Sequence, residues 1–382
     1  MKTLRFSADL DRAPSLVHQE LMDVDRLRDI WAQHRRSQSQ EVREAAWEEL
    51  AHRRVREWGA GPALEELMVS LAADGAAGRP ITAAFVVQLS ERISDLTSDS
   101  SSRPRRRPLD SEQALRVARA AAVPVHPVVR AAHTYAECVT VLDEREPPDE
   151  AGTHVWALPW VLAALTLRRA DFPPLLPDTL SPPPWVGLGP DERLVELSRH
   201  FARMTTGALL EELSWTSEPA AEPHTPASPL ATVVRRRVLD YVRSCRESVA
   251  LILKALDPEA RTSVYSGGSD GAEPGTMASE VAGTLLTPGA AHWWTALELS
   301  ADGASLRLFV VIQEVGRPNT GVLAVTAHAR ITTLEGTRDA LGMSEADNVA
   351  VMPTDGADDR WPQIHGLVDE AVSRAMNTLT RV

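Results

Sequence analysis

His154 stands near the end of an unusual stretch, Asp143-Glu144-Arg145-Glu146-Pro147-Pro148-Asp149-Glu150-Ala151-Gly152-Thr153-His154-Val155-Trp156. An imidazole titrates close to neutrality, so it can take and return a proton, and a neighbouring carboxylate can orient it. His154 and Glu146 are therefore the candidate catalytic pair. The plainer account of His154 is a loop histidine pairing with one of the surrounding carboxylates. Glu144, Glu146, Asp149 and Glu150 could hold a cation, but their spacing across Pro147-Pro148 fits no metal-binding loop. No metal is expected, and a solvated acidic loop is the simpler reading. Trp156 and Trp160 lie four residues apart and would share one face of a helix. They could line a pocket for a planar ligand or pack as core.

Other stretches offer less chemistry. Ser266-Gly267-Gly268-Ser269 leads into Asp270 and Glu273 rather than into a lysine and a helix, so it is no phosphate-binding loop. His292-Trp293-Trp294 could be a surface contact, though half-buried strand aromatics explain it as well. Cys138 and Cys245 sit in apolar helical contexts and are too few for a disulfide framework or a zinc site. Arg103-Pro104-Arg105-Arg106-Arg107 could touch an acidic partner, but such a run is ordinarily a solvated loop.

The elements that must position these residues are mostly helices. Leu27, Ile30 and Trp31, then Val42, Ala46, Trp47 and Leu50, recur at helical spacing within 15–71. Thr82 is placed to cap a helix from Ala83 to Ile93, and Asp110-Ser111-Glu112 to cap an alanine-rich one. A helix running to Leu142 and another starting near Trp156 flank the acidic stretch. Prolines from Pro173 to Pro190, including Pro182-Pro183-Pro184, forbid a regular helix there. Helical periodicity returns over 190–215.

The C-terminal part changes character. A helix from about Leu230 to Leu256 precedes the Ser266 to Gly271 stretch, which reads as a loop. Strand-like runs follow at Trp293–Leu299, Leu306–Glu314 and Gly321–Ile331, with turns at Asp302-Gly303 and Gly316-Arg317-Pro318-Asn319. A helix from Gln363 to Leu379 closes the chain. The expected class is mainly α: a helical domain over 1–217, a linker over 218–229, and a smaller α+β domain over 230–382 with an antiparallel meander.

The 382 residues are 43% hydrophobic and 24% charged, a globular composition with enough chain for a real core. The net charge of −13 disfavours binding to phosphate backbones, so no nucleic acid is expected. The densely apolar segment near 305–312 is too short to span a bilayer, and the first ten residues lack a signal-peptide core. A reduced, cytoplasmic protein follows from these readings.

His126-Pro127-Val128-Val129-Arg130-Ala131-Ala132-His133-Thr134-Tyr135 and Leu158-Pro159-Trp160 through Phe172-Pro173-Pro174-Leu175-Leu176 resemble the flanks of the catalytic loop in Fic proteins. There the pattern HPFx(D/E)GNGRxxR lies between them and transfers AMP. Glu48 to Trp58 resembles the helix leading to the inhibitory segment of a bacterial group of that family, which places its glutamate on Glu66. Val311 to Arg317 and Gly321 to Ala327 resemble the same group's C-terminal strand pair. The resemblance implies a Fic-like helical core.

It also implies that the reaction machinery is gone. Counted forward from Ala131-Ala132, the motif histidine falls on Leu142; counted backward from Arg169-Ala170, it falls on Asp149. The backward count puts the Gly-Asn-Gly positions on His154, Val155 and Trp156, and the two arginine positions on Ala157 and Trp160. A tryptophan offers no donor pair for phosphate. Trp156, Trp160 and Glu66 are the binding residues this carries over, and no cofactor is expected.

Two functions follow as expectations. One is a regulatory or partner-binding pseudoenzyme that does not transfer AMP. The alternative is a repurposed enzyme acting on a small biosynthetic molecule through His154, Glu146 and Glu66. The partner would be a protein or a small molecule, with no membrane, and homo-oligomerisation is left open. A nucleic-acid module using Arg103 to Arg107 and Arg235 to Arg237 is the weakest idea, opposed by the acidic balance.

Overall fold

The computed structural model describes residues 15–39, 80–98, 108–143, 157–173, 175, 189–215, 228–269, 276–287, 289–301, 303–316, 320–343 and 347–381, and isolated helical residues between 41 and 71. The fold is mainly helical with a C-terminal antiparallel sheet. It divides into two compact units, one of residues 1–29 and 39–209, the other of residues 30–38 and 210–382. The expected linker lies outside the described residues except for Ser228 and Pro229, which start a helix.

In the first unit, helix α1 (Ser15–Ser37) buries Val17, Leu21, Val24 and Leu27, a helical stripe at three- and four-residue intervals. Only its residues up to Asp29 belong to this unit. Helix α2 (Ala83–Ser98) is capped as expected: the Phe85 N–H donates to Thr82 Oγ1 at 3.2 Å. Helix α3 (Ser111–Ala121) begins on a full capping box, with Asp110 Oδ1 accepting from Gln113 N at 2.9 Å and Gln113 Oε1 from Asp110 N at 3.1 Å.

Helix α4 (Pro127–Asp143) has proline at its first position, where a missing N–H costs nothing. The preceding His126 caps it, Nδ1 accepting from Val128 N at 3.2 Å. Helix α5 (Ala157–Arg168) is apolar all round and almost wholly buried, as a central helix must be. It ends on Asp171 at φ 59°, with Phe172 N donating back to Leu167 O at 3.2 Å. Cys138 and Val141 of α4 share one core with Leu158, Val161 and Leu165 of α5 and with Val86, Leu89 and Val117. Helix α6 (Pro190–Ser214) contributes Leu194, Leu197, Phe201 and Leu209 to the buried set.

In the second unit, helix α7 (Pro229–Leu256) is capped by Ser228 Oγ, which accepts from Ala231 N at 3.1 Å. Strands β1 (Arg261–Gly268), β2 (His292–Ala301), β3 (Ala304–Val315), β4 (Val322–Thr333) and β5 (Gly336–Asp339) form an antiparallel meander in chain order. Strand β6 (Val349–Val351) pairs with β4, and a short helix α8 (Thr276–Ala282) lies between β1 and β2. Helix α9 (Trp361–Leu379) closes the chain. Gly303 and Gly316, in the two expected turns, both take positive φ, at 77° and 89°.

One expectation is overturned. Ser266-Gly267-Gly268 is not loop but the end of β1, with Gly267 paired to Trp294 and Gly268 to Trp293. A Cβ at Gly267 would stand 2.7 Å from Trp294 Cε2, so glycine is present there to admit an indole rather than to make a turn.

One face of the sheet packs on α7 and α9. Trp293, Leu297, Leu306, Leu308, Val310 and Val325 meet Val234, Val238, Ile364 and Val368 there. The opposite face carries Trp294, Ala296, Phe309 and Val311, covered by Val281. A buried ion pair, Arg360 Nε to Asp355 Oδ2 at 2.6 Å, holds the turn before α9, and the same oxygen accepts from Met352 N at 2.8 Å.

Candidate functional site

The acidic stretch of residues 144–156 lies outside the described residues, and with it Glu146, His154 and Trp156. Its two flanking helices are described. They are the helices the sequence leads one to expect, α4 reaching Asp143 and α5 starting at Ala157.

Trp160, on the first turn of α5, is buried. Its ring stacks on Phe201 of α6, centroids 5.5 Å apart and planes at 22°. Tyr135 of α4 tilts against both rings, 4.7 Å from Trp160 and 5.8 Å from Phe201. Offset aromatic contacts of this kind add to the area they bury. Three helices are thus joined through one indole, and the residue is core.

Glu66 is helical and exposed beside the buried Leu67. Tyr135 and Phe201, the partners of Trp160, were not singled out by sequence. They stand on other helices, and no spacing rule links them to it.

At the N-terminus of α4, His126 turns Nε2 toward Asp25 Oδ2 of α1 at 3.3 Å. With Nδ1 accepting from the backbone, the proton belongs on Nε2, facing the carboxylate. Burial holds the imidazole below its usual range, and the attraction of Asp25 opposes that only in part. His133, about two turns further along α4, is buried and likewise held below its usual range, with Glu137 opposing. Arg199 of α6 binds Glu20 of α1 at 3.2 Å and Glu196 at 3.0 Å, and burial still leaves the Glu20 carboxyl above the ordinary range. These groups anchor helices in the first unit.

The two cysteines are free thiols. Burial raises both thiol pKa values, so neither favours a thiolate nucleophile.

In the second unit, Trp293 and Trp294 are buried on opposite faces of β2, the ordinary strand reading. His292 Nδ1 lies 2.9 Å from Ala290 O. Arg237 is engaged by Asp358 at 2.6 Å, and Arg236 by Asp240 at 4.0 Å. Arg103 to Arg107 lie outside the described residues.

A surface cluster was missed. The Tyr241 hydroxyl of α7 donates to Asp369 Oδ1 of α9, while His365 Nδ1 pairs with Asp369 Oδ2 at 3.0 Å. Tyr241 packs on His365 and meets Trp361 edge-on. The members satisfy one another and pin α7 to α9.

Among the described residues, no group of three or more His, Cys, Asp and Glu side chains is placed to hold a metal ion. No described helix is long and apolar enough to cross a membrane. No family model, no curated protein and no solved structure matches this chain.

Proposed function

We propose that this chain is a regulatory or partner-binding pseudoenzyme, built on a Fic-like helical scaffold that no longer transfers AMP. The observation that supports it most is the packing of Trp160. The resemblance gives that position to the second arginine of the catalytic loop, which must reach phosphate. Here the side chain is an indole buried against Tyr135 and Phe201. A buried aromatic cluster offers no charge to a triphosphate, and anion stabilisers are among the costliest parts of a transfer site to lose. The α4–α5 pair, present where the resemblance puts the two flanking helices, supports the scaffold.

The test is direct. Full-length protein incubated with labelled ATP, magnesium and a lysate is expected to leave no AMP on itself or on any other protein. Magnesium-ATP at millimolar concentration is expected to leave its thermal midpoint unchanged, since a ligand of the native state must raise it. Transfer that His154→Ala or Asp149→Ala abolishes would overturn the reading. The repurposed-enzyme alternative rests on His154 and Glu146, outside the described residues, and no described geometry favours it.

A further inference from the structure

The second face of the sheet in the C-terminal unit combines burial with polarity in a way its packing does not use. Alternate residues of an antiparallel sheet face opposite sides, apolar where covered and polar where wet. On this face Val311 pairs with Thr326 and Phe309 with His328, while Gln313 follows Val311 two residues along β3. Gln313, Thr326 and His328 therefore continue the apolar patch of Trp294, Ala296, Phe309 and Val311.

Gln313 and Thr326 are polar but not wet, 0% and 7% exposed, and His328 is half-buried. Thr287, in the segment after α8, is 0% exposed. Its backbone N–H donates to Gln313 Oε1 at 3.2 Å. That bond fixes the carboxamide, oxygen toward Thr287 and Nε2 turned away. Gln313 Nε2, Thr287 Oγ1, Thr326 Oγ1 and His328 Nε2 are each buried without a hydrogen-bond partner. Folded proteins leave few such groups, because each one forfeits its hydration with nothing in exchange.

We propose that this face binds a small neutral molecule carrying a carbonyl oxygen on an aromatic or branched apolar body. The Gln313 Nε2 group can only donate and the two hydroxyls can donate beside it, a set that an acceptor oxygen satisfies. Trp294, Phe309 and Val311 supply the adjoining apolar wall. The oxygen is a neutral one because the arginines described on this face offer the patch no buried charge: Arg330, opposite Arg307 on β4, is exposed to solvent. Arg307, on the same face, is bound by Glu280 at 2.8 Å and Glu298 at 2.9 Å. Burial holds His328 below its usual range, with Asp339 opposing and Arg330 reinforcing it. A carboxylate in such surroundings would be buried without a counter-charge, whereas a ketone or amide needs only the donors already present. Helix α8, seated on the face through Val281 and Met277, is the element that must move aside for the molecule to enter. This site is separate from Trp160 and stands independently of the AMP-transfer reading.

The experiment uses the full chain and three probes of similar size: acetophenone, ethylbenzene and benzoate. Acetophenone is expected to raise the thermal midpoint and to show ligand-observed saturation transfer, with ethylbenzene and benzoate weaker at equal concentration. Gln313→Leu combined with Thr326→Val should weaken acetophenone about tenfold, the loss of two neutral hydrogen bonds, and should also lower the unliganded midpoint, because it strips the Thr287 N–H of its acceptor. Thr326→Val alone, which preserves shape, should weaken it about threefold and serves if the double variant does not fold. Absence of acetophenone binding, equal binding of ethylbenzene, tighter binding of benzoate, or unchanged affinity in the variants would each overturn the proposal.

Discussion

Gly267 and Trp294 face each other across the β1–β2 pairing, and the indole occupies the space a side chain at Gly267 would fill. A Cβ there would come within 2.7 Å of Trp294 Cε2, and Trp294 is held in turn by Phe309 and Val281. Gly267→Ala is expected to destabilise the protein by about 1–3 kcal/mol through overpacking. A thermal midpoint unchanged by Gly267→Ala would show that the indole can move without loss.

Trp160→Ala should cost about 3–5 kcal/mol, the penalty for emptying a large buried aromatic site. Trp160→Arg restores the residue type of the family motif and should be worse, since the guanidinium would enter a cluster of rings rather than meet phosphate. Chemical denaturation checks both. A Trp160→Arg protein as stable as the original, with magnesium-ATP now raising its midpoint, would contradict the packing argument.

Arg360 and Asp355 are 4% and 9% exposed and bonded at 2.6 Å. Arg360→Met leaves the Asp355 carboxylate buried without its cation and should cost about 3–5 kcal/mol. Because Asp355 also accepts from the Met352 N–H, Asp355→Asn should be the milder change. Equal urea midpoints for Arg360→Met and the parent would rule this out.

Stability should fall on mild acidification. His34, His126, His133 and His328 are all held below their usual range, burial being the largest cause in each. A histidine depressed in the fold is protonated first in the unfolded chain. Its contribution is therefore fully present above the unfolded value of about 6.5 and is lost as pH drops below it. Glu20 and Glu314 are raised by burial and act in the opposite sense, their penalty easing as pH falls through the carboxylate range. The thermal midpoint should thus decline from about pH 7.5 to about pH 5.5. His133→Gln with His328→Gln should flatten that decline; the same slope in that variant would show that these two rings do not carry it.

Much of the fold was legible wherever a local rule decides structure. Thr82 and Asp110 cap the helices expected of them, through bonds of 3.2 and 2.9 Å. Gly303 and Gly316 turn the chain between strands found where alternation placed them. Strand β1 was hidden because Gly267 and Gly268 look like turn residues, and their real reason is an indole on the next strand. Strands β5 and β6 are short, and β5 is exposed along its length, so neither shows a buried alternation to read.

The sites were harder for the same reason. Trp160 was singled out, but Tyr135 and Phe201 meet it only through the packing of three helices. Gln313, Thr326 and His328 look in sequence like the wet face of a strand, and only their burial sets them apart. His154 and Glu146 stay with the sequence reading.

The meander of the second unit bears on how this unit forms in time. Each of β1 to β5 pairs with the strand next to it along the chain; α8 separates β1 from β2, and β6 reaches back past β5 to β4, but β2 to β5 add in immediate succession. Loop closure is the main entropic barrier to sheet assembly, and neighbouring hairpins keep it small. The β2–β3 and β3–β4 hairpins can zip outward from Gly303 and Gly316. Helix α9, which follows the sheet along the chain, then meets a surface already ordered to receive it.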